Sequence, residues 1–133
     1  MLFENIKPGD LVLVPVEVRI GWKSHKYRIP QKVTRTTRTR IIVNGKRYRR
    51  DDGRAIGSGS YFDEAYPLDR HDKDETVAYN AAKTRADAIE VINNVTPDLE
   101  ELTRSDRLAG TKAANILKAA EYMRLAVEAL QNE

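Results

Sequence analysis

Apolar and polar residues alternate over residues 10–20, where Val12, Val14, Val16, Val18 and Ile20 share one parity. β-Branched side chains at a period of two predict a strand with one buried face. Pro15 has no N–H to give, which puts that point of the strand at an edge or a bulge. Lys7-Pro8-Gly9-Asp10 before it is a turn. Residues 21–30 hold Trp22 and no clear period, and are expected to form a long loop or an irregular hairpin. Residues 31–43 divide near Thr37 into two strands, about 31–36 and 38–43. Asn44-Gly45 then predicts a hairpin, because both central residues of a type I′ turn need positive φ. Residues 46–50 are its return strand, and Ile41, Val43 and Tyr48 can share a core face. Asp52-Gly53 is a further turn, and the glycine-rich residues 54–60 form a loop leading to a short last strand. Short strands at this spacing predict a small barrel or sandwich.

From about Asp74 the period changes. The acidic residues of the 72–75 stretch suit the positive end of a helix dipole. Val77, Ala81, Thr84, Ala88, Val91, Ile92 and Val95 recur at helical spacing, predicting a helix to about residue 94. Thr96 followed by Pro97 reads as an N-cap with proline at the first helical position, opening a short helix over 97–108. Gly110 is a stop, and Thr111 caps a last helix over 112–131. In that helix Ile116, Ala120, Met123, Val127 and Leu130 form a narrow seam, which Ala113 and Leu117 widen. The seam either packs on the chain's own elements or forms a homodimer or partner contact. The expected fold is α+β: a small antiparallel β-barrel followed by a C-terminal helical hairpin of two to three helices. It divides into a basic β part at 1–68, a polar hinge at 69–73 and a helical region at 74–133.

Composition narrows the function classes. A chain of 133 residues supports one compact domain, or a small domain with an appendage. With no cysteine, disulfides, thiolate metal sites and cysteine nucleophiles are excluded. His71 lies among Asp69, Asp72 and Asp74, a stretch that reads as a solvated linker capping the next helix; His25 has no assigned role. No apolar run nears the ~18 residues of a membrane span, and residues 1–4 lack a basic flank and an apolar run. A cytoplasmic protein is expected. The net charge of +3 is unevenly spread: residues 1–60 hold 14 Lys/Arg against 5 Asp/Glu, and residues 61–133 hold 9 against 15. Such a split suits either an acidic partner for the basic half or mutual neutralisation of the two halves.

The strongest chemical signal is the basic stretch Arg35, Arg38, Arg40, Lys46, Arg47, Arg49, Arg50 and Arg54. Strand alternation puts Arg38 with Arg40 on one face and Arg47 with Arg49 on one face. Trp22, Tyr27, Tyr48 and Tyr61 supply rings, and Thr34, Thr36, Thr37 and Thr39 supply hydroxyls. The set expected to grip nucleic acid or a partner is Arg35, Arg38, Arg40, Arg47, Arg49 and Arg50, with Trp22 and Tyr48. The competing reading is a solvated or internally neutralised sheet face, with Trp22 plugging the barrel mouth. The glycines from Gly53 to Gly59 lack the Gly-Lys-Ser/Thr ending of a phosphate loop, and a tight turn explains them better. Glu100 and Glu101 are adjacent on a helix and point apart. No Ser-His-Asp or zinc arrangement is visible, so no enzyme, cofactor, metal site or small-molecule substrate is expected.

Residues 37–57, with the strand opening Gly9-Asp10-Leu11-Val12-Leu13-Val14, resemble a stretch of small bacteriophage-encoded proteins of unassigned function. The shared pattern is a strand, a hairpin, an aromatic between basic residues, then Asp-Gly and a final glycine. The order of elements is similar to small SH3-like barrels. The resemblance covers about residues 1–65 and implies a phage accessory protein in the host cytoplasm rather than an activity; no functional residue carries over. Three functions follow as expectations. The first is non-enzymatic binding of nucleic acid or a nucleoprotein. The second is inhibition of a host defence or nucleic-acid-processing protein by protein contact, in the manner of an anti-CRISPR. The third is assembly through the last helix.

Overall fold

The fold is a computed structural model that describes residues 1–58, 62–104 and 106–132. It is α+β, with antiparallel strands followed by two α-helices. Strand β1 (Leu11–Ile20) pairs with β2 (Lys23–Lys32) along its whole length, from Leu11 opposite Lys32 to Ile20 opposite Lys23. The second sheet is β3 (Arg35–Thr36), β4 (Arg40–Val43) and β5 (Lys46–Arg49), in that order. Isolated bridges join Leu13 to Tyr66, Tyr48 to Ala55 and Arg54 to Glu64. Among the described residues no closed barrel forms.

Strand β2 corrects the loop expected at 21–30. Its sequence, Lys-Ser-His-Lys-Tyr-Arg-Ile-Pro-Gln-Lys, is half exposed with Ile29 its single buried residue, so no apolar period marks it. What creates it is the two-residue loop Gly21-Trp22. Gly21 has φ +60 and Trp22 does not have positive φ, the arrangement of a type II′ hairpin turn. The register then accommodates both prolines. Leu13, opposite Pro30, turns its N–H and C=O away from β2 to Tyr66, each at 2.8 Å. Pro15 stands opposite Arg28, two residues on and in the same non-bonded class of pair, so its missing N–H costs no ladder bond. The N–H of Arg28 points outward and donates to the Glu75 carboxylate.

The core gathers Phe3, Val12, Val14, Val33, Ile41, Val43, Tyr48 and Ala65. Asn44 and Gly45 have φ of +50 and +80, as the type I′ turn requires, so Ile41 pairs with Tyr48 facing inward. Tyr48 is buried, and burial together with the nearby Asp63 pushes its phenol above the ordinary value.

Helix α1 runs unbroken from Lys73 to Arg104, with Pro97 inside it. The expected break at Thr96 does not occur. An internal proline costs ~3 kcal/mol, chiefly through one lost hydrogen bond and a clash with the carbonyl four residues back. Here that carbonyl is on exposed Asn93, where water can serve it. The Thr96 hydroxyl donates to the Ile92 carbonyl at 2.8 Å instead of capping. A 3-10 helix, Asp106–Gly110, ends at the expected glycine and leads to α2, Ala113–Gln131. Lys112, not Thr111, is the N-cap of α2, and its side chain makes no capping bond.

The chain forms two compact units, Met1–Ala88 and Ile89–Glu133. In the first unit the covered stripe of α1 is Glu75, Thr76, Tyr79, Ala82 and Ala86 rather than the expected Val77, Ala81, Thr84 and Ala88. Contacts select that face: Tyr79 meets Tyr27 edge-on at 5.9 Å, and Glu75 holds Arg28. Val77 is left in solvent. In the second unit Ile116, Ala120 and Met123 line an apolar groove of about 480 Å³ with Leu99, Leu102 and Leu108. Val127 and Leu130 lie exposed beyond it, and no residue of α2 is buried. No helix among the described residues is long and apolar enough to cross a membrane.

Candidate nucleic-acid interface

The register of the second sheet sorts the arginines. Arg40 stands directly opposite Arg49, and Ile42 stands between Arg35 on β3 and Arg47 on β5. Cross-strand partners share a face, so Arg35, Arg40, Arg47 and Arg49 project together, opposite the core face of Ile41, Val43 and Tyr48. Ile42 is buried although it lies on the arginine side. Its cross-strand neighbours Arg35 and Arg47 are both exposed. Arg38 is not on a strand. It sits in the turn over residues 37–40, closed by the Thr37 N–H to the Arg40 carbonyl at 2.9 Å and the Arg40 N–H to the Thr37 hydroxyl at 3.1 Å. Thr34 is not free for a phosphate, because its hydroxyl donates to the Ile42 carbonyl at 2.8 Å.

Counter-charge on this face is scarce. Asp52 lies 3.8 Å from Arg49 and is shared with Arg54, which also reaches Glu64 at 3.7 Å. Among the described residues Arg35, Arg38, Arg40 and Arg47 form no ion pair. Like charges placed directly opposite each other destabilise a sheet, yet Arg40 and Arg49 are so placed. Within this unit the carboxylate on α1 that meets the sheets, Glu75, bonds a backbone N–H and no arginine of the face.

Two residues leave the expected set. Arg50 is buried, and its guanidinium donates to the carbonyls of Thr37 at 2.8 Å, Phe3 at 2.9 Å and Glu4 at 3.2 Å. Tyr48 is closed into the core and offers no ring to a ligand. Alternation carries both corrections, since Tyr48 and Arg50 share the parity opposite to Arg47 and Arg49. Trp22 plugs nothing: it is fully exposed at the β1–β2 loop. Tyr27 is engaged with Tyr79, and Tyr61 lies outside the described residues, as do Gly59 and Ser60 of the glycine-rich loop.

Three features bear on other chemistry. His71 contacts the Thr76 hydroxyl through Nε2 at 2.7 Å, at the start of α1. Arg28, which sequence reasoning passed over, stacks on Tyr66 at 3.9 Å and donates to the carbonyls of Glu64 and Phe62, each at 3.1 Å. Its isolated position between Tyr27 and Ile29 gives no pattern that could have marked it. A cleft of about 470 Å³ opens between Val14–Glu17 of β1 and the β4–β5 turn, with Lys26, Lys46, Asp63 and Tyr79 on its walls. It mixes both charge signs and converges on no reactive group. No family model matches the chain, and neither a curated protein nor a solved structure gives a significant match.

Proposed function

We propose that the protein is a non-enzymatic nucleic-acid-binding accessory protein that grips the phosphate backbone through Arg35, Arg38, Arg40, Arg47 and Arg49. The observation that carries this reading is the opposed pair Arg40 and Arg49, with Arg35 and Arg47 on the same face and, among the described residues, Asp52 as the acid paired with it. A sheet that holds like charges together with little counter-charge gains most from an anionic polymer laid across it. We read the scaffold under the face as an SH3-like arrangement that is not closed into a barrel among the described residues. Supporting that, the bridge segments at 54–55 and 64–66 link β5 to β1, while the Val33 N–H meets the Asp10 carbonyl at 2.8 Å. The resemblance of residues 1–65 to small phage proteins supports a phage accessory setting.

The test is fluorescence anisotropy of labelled DNA and RNA across a salt series. Five phosphate contacts give a log–log salt slope of about −3.5 to −4.5, so affinity falls about a hundred-fold or more between 50 and 200 mM salt. Arg47→Glu with Arg49→Glu removes two contacts and adds two repulsive charges, and is expected to abolish measurable binding at the higher salt. Affinity that ignores salt, or survives the double variant, defeats the proposal.

A second reading, homodimerisation through the last helix, is favoured by one observation. Leu117, Tyr122, Leu125, Val127 and Leu130 of α2 are all exposed. A helix apolar on several sides normally finds cover. Sedimentation is expected to show a dimer that Met123→Glu dissociates; a monomeric parent chain removes this reading.

A further inference from the structure

Trp22 is exposed at 104%, the highest of any large apolar side chain among the described residues. It occupies the second position of a two-residue loop that closes a ladder paired to its last residues, Ile20 opposite Lys23. A ten-pair hairpin of this kind holds its tip in place, so little ordering remains to be done when a partner arrives. The indole itself supports no part of the core.

Charge around the tip is mainly of one sign. On the last four pairs Arg19 and Lys26 share one face of the ladder and Lys23 and His25 share the other, with the Lys26 ammonium 5.6 Å from the centre of the Phe62 ring. The acid in this stretch is Glu17, which accepts a hydrogen bond from the Ser24 hydroxyl and lies 3.7 Å from Arg19. Its carboxyl is held below the usual range, chiefly by the Ser24 bond. The tip therefore offers one exposed planar ring with Arg19 on one face of its hairpin and Lys23 on the other, and Glu17 as the nearby acid.

An exposed ring with a cation on each face of its hairpin matches a nucleobase carried on a phosphate backbone. Bases within a duplex already stack on one another and show only their edges in the grooves. A protruding indole finds a free π-face only where bases are unpaired. We infer that the β1–β2 tip is a stacking element for unpaired bases, so that the polymer this protein takes is single-stranded nucleic acid. Trp22 stacks on a base while Arg19 and Lys23, one on each face of the hairpin, neutralise the flanking phosphates. This rests on the reading of the arginine face as a phosphate surface, and it names the class of polymer that surface receives.

Trp22 is the sole tryptophan of the chain, so tryptophan emission reports on the tip alone. The intact protein is titrated with oligo(dT), oligo(U) and a duplex of equal length. Emission is read alongside the anisotropy of the same oligonucleotides carrying an end label. Emission is expected to be quenched in step with anisotropy for the single strands, and little changed by the duplex. The DNA and RNA arms show which sugar is preferred. Trp22→Ala is expected to weaken single-strand binding about ten-fold, the usual size of one stacking contact, and duplex binding less than two-fold. Trp22→Phe retains most of the affinity. Because the side chain is wholly exposed, both variants keep the fold, which unchanged thermal unfolding verifies. Single-strand binding with unaltered Trp22 emission, or an equal loss for both polymers in Trp22→Ala, overturns the inference while leaving the arginine face standing. Binding to no polymer by anisotropy overturns both. A blue shift on anionic lipid vesicles without quenching by oligonucleotides assigns the tip to a membrane surface and overturns the inference too.

Discussion

Arg50→Met is expected to lower the unfolding free energy by about 3 kcal/mol, the net of several hydrogen bonds to a charged donor less the cost of keeping a guanidinium out of water. The side chain ties three separate pieces of chain together. Its Nε donates to Thr37 in the β3–β4 turn, and one terminal nitrogen reaches both Phe3 and Glu4 before β1. The Arg50 backbone reinforces the same junction, with its N–H on Thr39 at 2.9 Å and its carbonyl accepting from Phe3 at 3.0 Å. Methionine keeps the stem and its packing but donates nothing, so the carbonyls lose their partner inside the fold. Arg50→Lys, a point charge without the planar fork, falls between the two. Urea unfolding measures the loss. A midpoint for Arg50→Met that matches the parent chain shows that these bonds do not hold the N-terminal segment. Below its midpoint, Arg50→Met is expected to keep the salt slope of the parent chain. That separates it from Arg47→Glu with Arg49→Glu, which keeps the fold and loses the ligand.

This contrast shows what was legible in the sequence. Alternation was visible in β1, and the Asn44-Gly45 hairpin put Ile41, Val43 and Tyr48 on one face, where the structure has them. Carried one residue further, the same alternation separates Arg50 from Arg47 and Arg49. Charge is the more conspicuous signal there, and it grouped residues that the pleat divides. Strand β2 was hidden because Ile29 is its single buried residue and its covered part is largely polar, so its register comes from the turn and from its partner. The Gly-Xaa loop between two β-prone runs was the available clue. Pro97 misled for the opposite reason. Local preference favoured a fresh helix start, but the helix continues through Pro97, whose lost bond falls on the carbonyl of exposed Asn93. The arginine face was legible as a composition. Its geometry, with Arg40 opposite Arg49, needed the register.

The second large effect falls at Gly53, where a side chain is excluded on two counts. Its φ is +77, and a Cβ there would stand 2.3 Å from the Ala65 carbonyl oxygen and 3.1 Å from the Phe3 ring. The close approach is structural: the Ala65 N–H donates to the Gly53 carbonyl at 2.7 Å, and the Gly53 N–H donates to Arg49 at 2.9 Å. Phe3 and Ala65 are both core residues, so neither can simply swing aside. Gly53→Ala must therefore push the 64–66 segment outward, straining the Leu13–Tyr66 bridge that links it to β1. Gly57 supplies the control, because its φ is +89 and nothing lies within 4 Å of the Cβ position. Gly57→Ala meets backbone strain alone, about 1–2 kcal/mol. Gly53→Ala adds the collision, for a total of about 4 kcal/mol, in the range reserved for named core or backbone defects. For a domain of this size that lowers the melting temperature by about 15 °C. Thermal unfolding of the two variants side by side reads the difference. Equal melting temperatures show that the contact with Ala65 relaxes at no cost, and a gap of several degrees locates the tightest backbone junction of the β unit at Gly53.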